Sequence, residues 1–266
     1  MIALITGASS GIGEATARRV AREPGTTAVV LVARRADRLE QLASELGGGV
    51  ETLVLAEDLT DASAGGRIAG AVRARFGRLD LLVNNAGAGW RGAFADVGTA
   101  NLRRTLELNL FAQAALTEAL LPLLRESAPS AVVNIASTAG RVARAGSGGY
   151  SASKFAFIGW SDALHLEEKP NGVHVGIVNP GFVTTEGFPQ RELVESRATR
   201  WMVSTPEKVA DAIIEAGPGG KAERYAPRPY ALAAAARILL PALTRRVLGG
   251  SGASSLATST SVDADQ

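Results

Sequence analysis

The feature that most limits what this chain can fold into is an alternation of short aliphatic runs with longer helical patterns, repeated along most of its length. The runs cover residues 2–5, 27–33, 51–55, 79–83, 131–135 and 173–178, and each is apolar along nearly its whole length. Strands read this way when both faces of a parallel sheet are covered, whereas a strand with one wet face alternates. Helical patterns fill the gaps at 12–23, 36–46, 61–76, 99–125 (read as two helices) and 149–168. Another helix is expected from Pro206, with Thr205 as its N-cap and proline at the first helical position, where a missing N–H costs nothing. Strands and helices in this order predict an α/β fold: a doubly wound, Rossmann-type parallel sheet in three layers, helices on both faces, within a single domain.

Composition narrows the function classes. A chain of 266 residues, 46% hydrophobic and 20% charged, is neither disordered nor short of core-forming residues. Its 28 basic and 26 acidic side chains leave a net charge of +2 with no long block of one sign, so the electrostatic footprint of a nucleic-acid binder is missing. The absence of cysteine excludes disulfides, thiolate zinc sites and cysteine nucleophiles. No uncharged apolar run reaches the roughly 18 residues needed to span a bilayer. The start, Met1-Ile2-Ala3-Leu4-Ile5, lacks a basic segment and cleavage site, so a cytoplasmic protein is expected.

Residues 1–228 show no internal repeat or boundary, and the substrate flap of the expected domain falls at about 182–204. Residues 229–248 form an apolar extension interrupted by Pro241 and carrying Arg237, Arg245 and Arg246. Core packing or a subunit contact is the favoured reading of it, with a lid or a membrane-surface helix as alternatives; Arg237 and the length argue against a spanning segment. Residues 249–266, with ten Gly, Ser or Thr among 18, read as a flexible tail.

After the first strand comes Thr6-Gly7-Ala8-Ser9-Ser10-Gly11-Ile12-Gly13, followed at once by a helix. Glycines are required where the backbone must turn tightly, approach a pyrophosphate closely and let a helix pack on a strand. The helix start then aims unpaired N–H groups at the anion. A simple tight turn is the competing reading. The second strand ends Ala33-Arg34-Arg35, with Arg38 following, where a NAD-binding fold places an acid on the ribose 2′-hydroxyl. Arginine there suits a 2′-phosphate, and one charge-assisted bond, about 1.5–3 kcal/mol, is enough to prefer NADP(H) over NAD(H). The alternative is that these arginines only solvate a helix start.

Further motifs appear in order: Asp58-Leu59, Asn84-Asn85-Ala86-Gly87, Asn109, Ser137, Tyr150-x-x-x-Lys154 and Pro180-Gly181-Phe182-Val183-Thr184-Thr185. Together with the glycine turn, they resemble the short-chain dehydrogenase/reductase family in its compact single-domain branch, over residues 1 to about 217. The resemblance implies that Gly7, Ser9, Ser10, Gly11, Ile12 and Gly13 border the pyrophosphate and adenosine ribose. It places Asp58 on the adenine amino group with Leu59 beside it, and has Asn84, Asn85, Ala86 and Gly87 line the cofactor and brace the sheet. Residues 177–185 would pass the nicotinamide, with Pro180 and Gly181 in that segment and Val183 and Thr185 near its carboxamide.

Hydride transfer to a carbonyl leaves charge on oxygen, so the site needs a proton donor and hydrogen bonds aimed there. Tyr150 is the candidate acid, and Lys154, one helical turn later on the same face, is expected to lower its pKa. By resemblance Lys154 also holds the nicotinamide ribose, Ser137 bonds the substrate oxygen, and Asn109 positions a water that relays protons to Lys154. A structural amide that kinks its helix is the other reading of Asn109. His165 and His174 lack partners at metal-ligand spacing and read as structural, so no metal is expected.

Trp90, Val142, Phe182, Phe188, Trp201 and Met202 lie beside the catalytic elements in sequence. They suggest a lipophilic ketone, aldehyde or alcohol, although several would serve equally as flap packing. Arg141 and Arg144 either recognise an anionic group or face water. The expected protein is an NADP(H)-dependent carbonyl reductase or alcohol dehydrogenase, a homodimer or homotetramer by family resemblance. A non-catalytic NADP(H)-sensing regulator on the same fold is the alternative.

Overall fold

The computed structural model describes residues 1–186, 193, 195 and 199–248. Seven parallel strands form one sheet: β1 (Ile2–Thr6), β2 (Ala28–Ala33), β3 (Glu51–Ala56), β4 (Leu81–Asn84), β5 (Ser130–Ile135), β6 (Val173–Pro180) and β9 (Glu223–Ala226), in the order β3-β2-β1-β4-β5-β6-β9. A separate two-residue pair joins β7 (Phe182–Val183) to β8 (Val203–Ser204), in parallel. The helices are α1 (Gly11–Ala21), α2 (Ala36–Leu46), α3 (Ala64–Phe76), α4 (Phe94–Leu106), α5 (Ala112–Glu126), α6 (Gly148–Glu168), α7 (Pro206–Ala216), α8 (Tyr230–Leu239) and α9 (Pro241–Leu248).

The aliphatic runs become strands because both faces are covered. Ala3, Ile5, Val29, Leu31, Leu81 and Val83 face α1, α2 and α7 on one side, while Ile2, Leu4, Val30, Val32, Leu82 and Val132 face α3, α5 and α6 on the other. All six expected strands are present, with ends shifted by up to two residues. The seventh, β9, escaped the sequence reading because Glu223, Arg224 and Tyr225 are polar and only half-buried. A charged edge strand needs no apolar run, since only one neighbour covers it.

The order reverses between β1 and β4, and ligands in such sheets bind at that switch point, beyond the carboxyl ends of the strands. Four buried polar side chains tie the central strands to the helices behind them. Asn84 donates through Nδ2 to Thr117 Oγ1 (2.8 Å) and Asn134 Oδ1 (2.9 Å), and Asn134 donates to Ser161 Oγ (2.7 Å). Thr205 caps α7 as expected, its Oγ1 accepting from Lys208 N. Residues 230–248 do not join the core: Ala234 alone is buried there, and Pro241 starts a second short helix rather than kinking one. The expected tail at 249–266 and Phe188 in the flap lie outside the described residues.

Candidate active site

The glycine turn is shaped by close approaches of backbone to backbone. A Cβ added at Gly13 would sit 2.1 Å from the Gly7 carbonyl oxygen, so only glycine lets α1 begin against β1. Gly7 and Gly11 lie at φ 65° and 57°, in the left-handed region that glycine tolerates. A Cβ at Gly11 would lie 3.2 Å from Thr185 Cγ2, which brings the glycine turn against the segment after β6. Asn85 braces the turn from β4: its Nδ2 donates to Thr6 O (2.8 Å), and its backbone N–H donates to Thr6 Oγ1 (2.8 Å). Ser10 precedes α1 without capping it through its side chain. The first turn of α1 therefore keeps N–H groups for a ligand, and the cradle fits a pyrophosphate.

The arginines at the end of β2 separate into different duties. Arg35 reaches over the turn, its Nη2 donating to Ser10 Oγ (2.9 Å) and Ser9 Oγ (3.1 Å). Arg38 instead pairs with Glu186 (3.1 Å). Arg34 lies near enough to Asp58 to favour its carboxylate, although hydrogen bonds from the Thr60 N–H and hydroxyl do more to hold Asp58 below the usual carboxylate range. Leu59 is buried beside it. Asn84 is wholly inside the sheet, where it braces the strands as the family resemblance implied, and it does not line the crevice, the other part of that expectation.

Ser137, Tyr150 and Lys154 meet beyond the end of β5. Ser137 follows that strand, accepts from Ala139 N (3.1 Å) and points its hydroxyl toward Pro180 O (3.4 Å). Tyr150 lies in the first turn of α6, and Ser153 Oγ donates to the Tyr150 carbonyl oxygen (2.8 Å). Lys154, one turn on, is buried and donates through Nζ to Ile135 O (2.7 Å). Gly140 allows this approach, since a Cβ there would meet Lys154 O at 2.7 Å.

The electrostatics differ from the sequence expectation. Burial pushes the Tyr150 phenol above its ordinary value; the Ser137 hydroxyl and, after it, the Arg91 charge oppose the rise. Lys154 is not aimed at the phenol. Its Nζ sits 5.8 Å from the Tyr150 ring centroid and is turned to Ile135 O, and burial lowers its own pKa to about 8. Arg91 is thus a residue that sequence reasoning missed. It precedes Tyr150 by two whole helices and a strand, and no spacing rule links them.

Asn109 occupies a π-helical turn (Glu107–Phe111) between α4 and α5. Such turns often mark functional sites. Its Oδ1 accepts from Ala88 N (2.9 Å), and its Nδ2 donates to Ala88 O (2.9 Å) and Ser153 Oγ (3.0 Å). The side chain therefore locks the loop after β4 to α6. A Cβ at Gly87 would fall 2.9 Å from Asn109 Oδ1 and 3.7 Å from Lys154 Nζ, so this loop and the lysine share one small space. Ala86 joins the same loop, its carbonyl accepting from Gln113 Nε2 (2.7 Å).

On the open side, Val183 is buried and Phe182 lies beneath the Arg144 guanidinium, 4.4 Å from its ring centroid. Arg141 is neutralised by Glu223 (2.9 Å), a hub that also accepts from Asn179 Nδ2 (2.6 Å) and the Tyr225 hydroxyl (2.9 Å). Among the described residues Arg144 has no carboxylate partner. Trp90 carries Arg104 over its ring at 4.5 Å, Val142 and Met202 are half-buried, and Trp201 is exposed. The Tyr230 hydroxyl donates to Met202 O (3.1 Å), and its ring fills the space where a Cβ at Gly181 would stand. His165 and His174 stack edge-on far from this site and bond to Val175 O and Ala216 O. No cluster able to hold a metal occurs among the described residues.

Comparison with known proteins identifies the family and the fold. The sequence profile described as short chain dehydrogenase matches residues 1–194. The ketoacyl reductase HetN of Nostoc is 35% identical over 214 residues, covering 80% of this chain and 74% of HetN. The bovine dehydrogenase/reductase SDR family member 7B is 36% identical over 191 residues, and the match takes in 69% of this chain but 58% of that longer relative. A short-chain dehydrogenase from Streptomyces avermitilis superposes with a TM-score of 0.76 at 31% identity, covering 93% of this chain and 96% of its own. L-sorbose reductase from Gluconobacter frateurii, complexed with NADPH and L-sorbose, gives 0.75 at 28% identity over 84% of this chain and 93% of its own.

Proposed function

The chain belongs to the short-chain dehydrogenase/reductase family, oxidoreductases acting on CH–OH groups, and from that premise we propose that it is an NADP(H)-dependent reductase of lipophilic ketones or aldehydes, working with Tyr150 as general acid. The convergence of Ser137, Tyr150 and Lys154 beside the glycine cradle carries this reading. Gly7, Gly11 and Gly13 would hold the pyrophosphate, Asp58 the adenine, and Val183 and Thr185 the nicotinamide end. The preference for NADP(H) rests on Arg35 above Ser9 and Ser10, with Ala33 where an acid would repel a phosphate. When bound, the dinucleotide supplies the hydride in reduction and accepts it in oxidation.

The protein's part is to fix the carbonyl oxygen and deliver one proton. The Ser137 hydroxyl donates a hydrogen bond to that oxygen, and the Tyr150 phenol gives it the proton as hydride reaches the carbon. The phenolate left on Tyr150 is favoured by Ser137 and Arg91 and is reprotonated from solvent. Lys154, held by Ile135 O, is close enough to the Gly87 loop to take the nicotinamide ribose. A lipophilic substrate is supported by Val142, Phe182 and Met202 around the opening. We place the enzyme in the cytoplasm, as a homo-oligomer.

NADPH consumption against apolar ketones and aldehydes tests this, with wild type and Tyr150→Phe in parallel. Turnover by wild type alone is expected. NADPH binding without turnover of any carbonyl would favour the sensing protein, and equal rates for the two proteins would remove Tyr150 from its role.

A further inference from the structure

Of the large hydrophobic side chains exposed among the described residues, Leu232, Ile238, Leu239, Leu240, Leu243 and Val247 all fall on α8, α9 and the link between them. Leu232 and Leu239 are each 75% exposed and Val247 65%, so these are presented side chains and not half-covered ones. Leu243 and Val247 lie four apart on one face of α9, and Leu239 ends α8 just before the bend at Leu240. Patches of this density on a protein surface mark contact sites.

The two helices are held to the body by their other side. Ala234 is buried, Tyr230 seats on Gly181 and Met202, and Leu248 lines a cavity of about 170 Å³ with Thr138, Val142 and Arg144. Thr244 Oγ1 donates to Leu240 O (2.7 Å) and Ala236 O (3.2 Å), which fixes the bend at Pro241. The apolar side chains are thereby held outward next to the substrate opening.

Charge decides the occupant. From Tyr225 to Val262 the sequence carries Arg228, Arg237, Arg245 and Arg246 and neither aspartate nor glutamate, and of these Arg228 pairs with Glu215 of α7 (3.4 Å). Arg245 and Arg246 are exposed beside Leu243 and Val247. A self-contact would set these arginines against their own copies, whereas an anionic lipid surface satisfies them while acyl chains cover the leucines. We propose that α8 and α9 form an in-plane docking surface for an anionic lipid bilayer, with Leu239, Leu243 and Val247 entering the headgroup region. No helix among the described residues is long and apolar enough to cross a membrane, in keeping with docking and not spanning. The surface stands independently of the reductase reading.

The test is co-sedimentation of the full chain with phosphatidylcholine vesicles and with phosphatidylcholine–phosphatidylglycerol vesicles. Wild type should pellet with the mixed vesicles and be released by salt. Arg245→Gln/Arg246→Gln should weaken binding on the order of 10- to 30-fold. Leu239→Asn/Leu243→Asn, which keeps the charge, should weaken it roughly 100-fold. Unchanged melting temperature and NADPH binding would show that both variants fold. Wild type remaining in solution with mixed vesicles would overturn the proposal. So would equal partitioning to neutral vesicles, or a dimer in light scattering that the leucine variant dissociates while vesicle binding is absent.

Discussion

The two halves of the crevice are built on opposite principles. On the side of β1, β2 and α1, shape comes from backbone: Gly7, Gly11 and Gly13 let main chain approach main chain, and Asn85 ties the turn to its neighbour. On the side of β5, β6 and α6, function comes from side chains delivered by distant segments: Ser137 after a strand, Tyr150 and Lys154 on a helix, Arg91 from a loop, Tyr230 from the far end of the chain. A backbone site tolerates no added atom. A side-chain site tolerates substitution sterically but loses its chemistry one group at a time.

That contrast can be broken most severely at Tyr150. Tyr150→Phe should lower kcat by about 10²–10⁴ while NADPH affinity stays near wild type, read by steady-state rates and fluorescence titration. The opposite pattern is expected at Gly13. Gly13→Ala drives a methyl into the Gly7 carbonyl and should cost about 2–3 kcal/mol of stability, lower the melting temperature and weaken NADPH binding, with Tyr150 untouched. Unaltered NADPH affinity in the Gly13→Ala variant would refute the backbone account. Arg35→Ser should weaken NADPH binding by roughly 10- to 150-fold and leave NADH binding nearly unchanged, which isothermal titration of both dinucleotides separates.

Lys154 sharpens the comparison through pH. Its folded pKa, about 8, lies below its ordinary 10.5, so between those values the unfolded chain holds a proton that the folded one has released. Stability of the unliganded protein should therefore rise with pH across that window, by about 3 kcal/mol for this group. Thermal melts of wild type against Lys154→Met check it: the variant should lack this part of the rise, and parallel curves would refute the shift. Arg91→Gln should have the smallest effect, moving the acidic, rising limb of the alcohol-oxidation profile slightly to higher pH, because Arg91 is the lesser of the two groups favouring the Tyr150 phenolate.

How much of this was legible in the sequence follows the same division. Periodicity and turn chemistry are local, so the six aliphatic strands, the glycine turn, the Thr205 cap and the break at Pro241 could be read directly. The Tyr150–Lys154 spacing likewise follows from helix geometry. What the sequence could not show were pairings across long separations: Glu223 neutralising Arg141 and Arg91 reaching the Tyr150 site. Of the two favoured roles for 229–248, core packing or a subunit contact, the first is not seen within one chain, because an apolar segment is buried only if the fold leaves a face to receive it.

By itself, then, the amino-acid order determined the layers, the strand-to-helix turns and the chemical types gathered for the reaction, since each depends on neighbours a few positions apart. The tertiary structure alone decided which cations are spent on ion pairs, how burial moves Tyr150 and Lys154 in opposite directions from their ordinary values, and which apolar side chains remain outside. Those outcomes depend on solvent exclusion and on contacts between distant segments, and neither exists until the chain has folded.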